Sequence, residues 1–158
     1  MTSVLRAGVL DGVRLHVAAA GPLGAAVVRR AAELGARPAT SDLDVLVVDA
    51  AALFAAATGA DAVRGALDGA WDAIQPHAAG AKLILLLAPP PGDAHAEAAR
   101  AGLENLARTL SIEWARHGIR PVAIHPGTAT AAEEVAELAA FLSSAAGAYY
   151  SGCRFDLR

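Results

Sequence analysis

The chain has 158 residues, 55% of them hydrophobic and only 4% aromatic, so its core is built from Ala, Val and Leu rather than from rings. A formal net charge of −3 with no basic stripe argues against nucleic acid as a partner. The single cysteine, Cys153, excludes an internal disulfide and a paired-cysteine metal site.

No apolar run is long enough to span a membrane. The N-terminal MTSVLRAGVLDG lacks the basic-then-apolar order of a signal peptide, so a cytoplasmic location is expected. The chain reads as one domain, 1–158, without repeats, linkers or composition breaks.

In chain order, RLHVAA at 14–19 is a first buried strand, and the loop Ala20-Gly21-Pro22-Leu23-Gly24 leads into a helix from Ala25 to about Leu34. Gly35 ends that helix, a remnant strand is placed at 36–39, and Pro38 to Ser41 is a short connection. LDVLVV at 43–48 is a second strong strand. The Ala-rich stretch 50–57 is a short helix closed by Gly59, and Asp61 is expected to cap a helix that runs to Gln75 and stops at Pro76. KLILLL at 82–87 is a third strand. Pro89-Pro90-Pro91-Gly92 forms a stiff turn, and Asp93 caps a long helix reaching Arg116. A strand at 119–124, broken by Pro121, a helix at 133–143 and a last strand at 152–157 complete the chain. Strands alternating with helices predict right-handed βαβ units and a mostly parallel, doubly wound sheet in three layers, an α/β fold. The loops at 19–24, 48–50, 88–92 and 125–128 then line up along the carboxyl edge, where such sheets bind ligands.

The two long helices carry more than an amphipathic pattern. On the 61–75 helix, Val63, Ala66, Leu67, Ala70, Trp71 and Ile74 form an apolar stripe, and Asp61, Arg64, Asp68, Asp72 and Gln75 a polar one. Ala62, Gly65, Gly69 and Ala73 form a third face of small residues. Each Gly inside a helix costs about 1 kcal/mol against Ala, so two on one face predict that another backbone comes close, from a second subunit or from this one. The 94–116 helix repeats the design with Ala98, Ala101, Gly102, Asn105, Thr109 and Ile112 opposite its core-facing leucines.

Ala101–Gly127, AGLENLARTLSIEWARHGIRPVAIHPG, resembles the last helix-and-strand unit of the short-chain dehydrogenase/reductase family, typically YxxxKAGLExLxRxLAxExAxxGIRVNxIxPG. LDVLVVDAA is similar to that family's LDVLVNNAG, and the tail with Tyr149, Ser151 and Gly152 resembles its Y-x-[TS]-G turn and final strand. The resemblance implies a Rossmann-like fold lacking about one βα unit, since Gly35-Ala36-Arg37 passes almost directly into Asp42-Leu43-Asp44. It also implies that the substrate lid is missing, because only 128–132 separate Gly127 from the next helix.

The same resemblance locates an absent active site. The catalytic Tyr of the family falls at Ala96 and its Lys at Arg100, so both are vestigial positions, and 88–91 offers no serine hydroxyl. Of the cofactor-binding pattern only the vestigial Gly21, Gly24, Asp49, Pro126 and Gly127 remain. Pro22 removes an amide, and an acid at Asp49 repels a pyrophosphate; its expected role is to cap the segment after it. Arg100 is expected in a surface charge ladder with Glu97, Glu104 and Arg108. His95, His125 and Asp93 lack metal-ligand spacing and read as solvated loop groups, so no metal site is expected.

The expectation is a non-catalytic subunit that binds no cofactor. Its two long helices pair it with a homologous active subunit, or with its own copy, as a structural or regulatory partner. The alternative is an oxidoreductase using NAD(P), or another enzyme, with a non-standard site.

Overall fold

A computed structural model describes residues 4–78 and 80–158. Its centre is a sheet of six strands, β1 (Arg14–Ala18), β2 (Arg37–Pro38), β3 (Val45–Asp49), β4 (Leu83–Leu87), β5 (Arg120–His125) and β6 (Cys153–Asp156). The order across the sheet is β2-β1-β3-β4-β5-β6, and every ladder is parallel. β3 and β4 are buried at every position, as apolar strands between two helical layers must be.

Among the described residues five α-helices cover the sheet: α1 (Pro22–Glu33), α2 (Ala50–Ala55), α3 (Gly59–Ile74), α4 (Ala94–Glu113) and α5 (Ala132–Ser143). α1 and α5 close one face over Val45, Val47, Leu85 and Ile124. α2, α3 and α4 close the other over Leu46, Val48, Ile84 and Leu86. The expected three-layer, doubly wound architecture is therefore observed.

The missing βα unit has a clear geometric signature. β2 pairs only Arg37 with Arg14 and Pro38 with Leu15. The chain then turns back and reaches β3 through 39–44, anchored where Asp44 accepts hydrogen bonds from Lys82 (2.7 Å) and from the Arg14 backbone (3.0 Å). A parallel crossover with its own helix needs roughly a dozen residues, so none fits here. Beyond Leu15, β1 has no strand neighbour on that side among the described residues.

Pro121 sits inside the sheet at no cost to the ladder. Its carbonyl accepts from Gly152 N–H (2.7 Å) on the side where β6 pairs only from Cys153 onward, so the absent N–H has no partner to miss.

Several boundaries differ from the sequence reading. α1 starts at Pro22 rather than Ala25, because Pro is pre-shaped for the first helical position and Gly21 serves as N-cap. α3 starts at Gly59 with Thr58 as N-cap, so Asp61 lies in its first turn instead of capping it. Gly59 opens this helix, at φ +60°, rather than closing the one before. α4 ends at Glu113 and tightens into a 3-10 turn, Ala115–His117, before Gly118 takes the left-handed conformation at φ +69°. Asp93 does cap α4, accepting from His95 and Ala96 N–H at 3.0 Å each.

Candidate functional site

The strand order reverses between β1 and β3, and the crevice above that point is where a doubly wound sheet receives a ligand. The loop after β1 supplies Gly21 and Gly24 at the start of α1, and Asp49 ends β3 directly beside them. Asp49 is wholly buried. Its Oδ2 accepts from Gly24 N–H (2.7 Å) and Gly21 N–H (2.9 Å), and its Oδ1 from Ala52 N–H (3.1 Å). The carboxylate thus caps α2, as the sequence predicted, and also sits on the positive end of α1, which the sequence did not reveal. Both glycines are required for this approach. A Cβ on Gly21 would lie 2.6 Å from Ala52 Cβ, and one on Gly24 would lie 2.8 Å from Val17 Cγ1.

Helix N-termini at such crevices hold phosphates through free amides. Here those amides already bind a charged group of the protein's own. Pro22 contributes no N–H, and a phosphate would meet a fixed negative charge. These residues do not fit a dinucleotide.

At the far end of the same edge, Ala96 is buried on the inner side of α4 and carries no proton to transfer. Arg100, four residues on, corrects the expectation of a surface charge ladder. Its side chain is only 12% exposed and turns inward. Nη1 donates to the carbonyls of Pro89 (2.7 Å) and Pro126 (2.9 Å), tying the loop after β4 to the loop after β5. Its distance to Glu97 is 3.8 Å, a weak charge contact. The surface pair on this helix is Arg108 with Glu104 at 2.6 Å, and Glu104 also receives Arg154 of β6. The helical period placed Arg100 on a face but not the two loops that fold over it.

His125 is the second correction. It is 2% exposed, at the end of β5, and Nε2 has no hydrogen-bond partner. Nδ1 lies 3.8 Å from the Asp156 carboxylate, beyond hydrogen-bond range. Burial, with the nearby Arg100 charge, lowers its pKa from the usual 6.5 to about 4, so the ring is neutral at pH 7. His95 stays at the surface with its Nδ1 3.6 Å from Asp93, so the three groups do not converge. Among the described residues no group of three possible metal ligands comes together. Gly127 donates its N–H to Thr130 Oγ1 (2.8 Å), closing a short turn before α5.

The helix faces also divide differently than expected. The four small residues of α3 do not lie open. Ala62 is buried, the Leu53 carbonyl of α2 lies over Gly65, and the Leu53 side chain lies over Gly69; Ala73 is half-buried. The close backbone that the glycines predicted is α2 of the same chain. Gly102 is likewise taken by Leu67 of α3, whose Cδ2 lies 2.7 Å from where a Cβ would stand. Ala98, Ala101, Asn105, Thr109 and Ile112 remain exposed along the outside of α4. Ile112 is 76% exposed and Trp71 of α3, tilted against Trp114 at 6.2 Å, is 41% exposed.

No protein-family model matches the chain. Solved structures do. A dehydrogenase/reductase from Sinorhizobium meliloti 1021 is similar over 95% of this chain and 95% of its own, with a TM-score of 0.75 and 18% identity. BdcA from E. coli is similar over 95% of this chain and 100% of its own, at TM-score 0.72 and 21% identity. A BdcA structure in complex with NADPH aligns at TM-score 0.70 and 19% identity, covering 95% of this chain and 94% of that one. The chain has the fold of the short-chain dehydrogenases/reductases. No helix among the described residues is long and apolar enough to cross a membrane.

Proposed function

We propose that this chain is a non-catalytic protein with a dehydrogenase fold that pairs through the outer face of α4 with an active dehydrogenase subunit, or with its own copy, as a structural or regulatory partner. The observation that carries the reading is the Asp49 carboxylate on the Gly21 and Gly24 amides. A dinucleotide would have to displace a buried, triply bonded charge before its own phosphates could bind. Ala96 in place of a proton donor and Arg100 committed to two loop carbonyls support the same conclusion.

The pairing part rests on the outer side of α4. A helix that faces only water carries charges there; this one carries Ala98, Ala101, Thr109 and a largely exposed Ile112, with Trp71 beside it. Mixing the chain with the dehydrogenase encoded nearest to it, followed by size-exclusion chromatography, tests the reading. A shared peak, or a dimer of this chain alone, is expected. Two independent monomer peaks at micromolar concentration contradict it.

A second reading, an oxidoreductase with an unusual site, is favoured by one specific observation: the likeness to a fold-mate solved with NADPH. Calorimetric titration with NADH and NADPH separates the two readings, since saturable binding supports the second alone.

A further inference from the structure

β1 turns His16 toward the layer of α3, since His16 stands beside Leu46 in register and Leu46 packs under that layer. The helices of that layer stand over β3, β4 and β5, and the crossover from β2 to β3 contains no helix that could stand over β1. His16 therefore lies half-buried at an uncovered corner of the sheet. His77 reaches the same corner from the 3-10 turn Gln75–His77 that follows α3. The turn is held in place, because the His77 carbonyl accepts from Gly80 N–H (3.0 Å) and Ala81 N–H (3.2 Å). The two imidazole rings lie 6.3 Å apart, tilted by 45°. Both side chains are half-buried, and neither makes a hydrogen bond among the described residues.

We propose that His16 and His77 together bind one late first-row divalent cation, of the Ni(II) or Cu(II) kind, between their rings, with water filling its other positions. Imidazole nitrogen suits these ions well. With a metal–nitrogen bond of about 2.1 Å, a ring centre stands roughly 3 Å from its ion, so two rings 6.3 Å apart span one ion from opposite sides. Opposite positions belong to the tetragonal geometry of Ni(II) and Cu(II). No third protein ligand joins the pair among the described residues, so the site is open and its affinity modest. The charges beside it tolerate a cation. Arg14, on the same face, is paired with Asp44 at 3.3 Å, and Arg37 next to it is exposed, where water and salt screen its repulsion. The site uses neither the Asp49 cap nor the outer face of α4.

Ni(II) alone, added to the whole chain, tests this through the amide resonances that the paramagnetic ion broadens. Saturable broadening centred on 15–17 and 77–78 is expected at sub-millimolar Ni(II). Mg(II), which takes oxygen ligands, should move no resonance there. His16→Asn and His77→Asn should each weaken Ni(II) by about tenfold or more, since losing even a group that orients a metal ligand costs that much. His95→Asn should leave the affinity unchanged. The same spectra show that each variant is folded. Absence of saturable broadening at millimolar Ni(II) overturns the proposal. So does parent-like affinity in His16→Asn or His77→Asn, or broadening centred on His95, His117 or Cys153.

Discussion

Asp49 is a carboxylate with three N–H donors and no exposure to water. Removing it leaves the buried Gly24 N–H and the half-buried Gly21 and Ala52 N–H groups without that acceptor, which costs more than the bonds themselves contribute. Asp49→Ala should therefore destabilise the fold by about 2–4 kcal/mol, read from urea denaturation. Asp49→Asn, which keeps one acceptor oxygen, should lose about half as much. His125 gives a second prediction, with a definite sign. Its folded-state pKa, about 4, lies below 6.5 because burial penalises the charged ring and Arg100 repels it. The folded protein thus binds this proton more weakly than the unfolded chain. The contribution is fully present above pH 6.5 and is lost as pH falls toward and through 4. Unfolding free energies from denaturation at a series of pH values across that window should fall more steeply with decreasing pH in the parent than in His125→Leu. Identical slopes would remove His125 from the account.

At the scale of elements, the helices and strands were legible in the chain because their signals are local. Five-residue apolar runs such as LILLL, and leucines recurring every three or four residues along α4, fix type and buried face together. What joins the elements was not legible. Asp49 lies 25 residues beyond Gly24, and only the pairing of β1 with β3 brings them within 2.7 Å. Arg100 showed a charge-ladder spacing on α4, yet two loops from other strands fold over it. The glycines of α3 correctly announced a close backbone but not whose, since nothing local says that α2 doubles back. One element-level consequence is testable. A methyl on Gly24 would press on Val17 Cγ1 at 2.8 Å and on Asp49 Oδ2 at 3.2 Å. Val17 is stiff at its branch point and Asp49 is fixed, so Gly24→Ala should destabilise despite the better helix propensity of Ala, by about 1 kcal/mol or more. Thermal unfolding of the variant measures this. An increase in Tm would show that the β1–α1 loop has room to adjust.

As a whole molecule, the protein keeps a six-stranded parallel sheet with helices on both faces, while β2 is cut to two residues and one crossover is reduced to 39–44. That shortening exposes the edge of β1, and the outer side of α4 presents Ile112 and Trp71 to solvent. If α4 is the pairing surface, a charge at its centre should abolish association without touching the core. Thr109→Glu with Ile112→Glu is expected to leave the Tm of the isolated chain within about 1 °C and to shift the elution peak to that of a monomer. Retained association in the double variant would move the interface elsewhere.

The amides at the start of α1 are held by the protein's own carboxylate, and a dinucleotide has to compete with it for them. Calorimetric titration of the parent chain with NADPH measures this directly. No saturable heat up to millimolar cofactor is the predicted result. Stoichiometric binding in the micromolar range would contradict it, because the phosphates would then have found donors that Asp49 already holds.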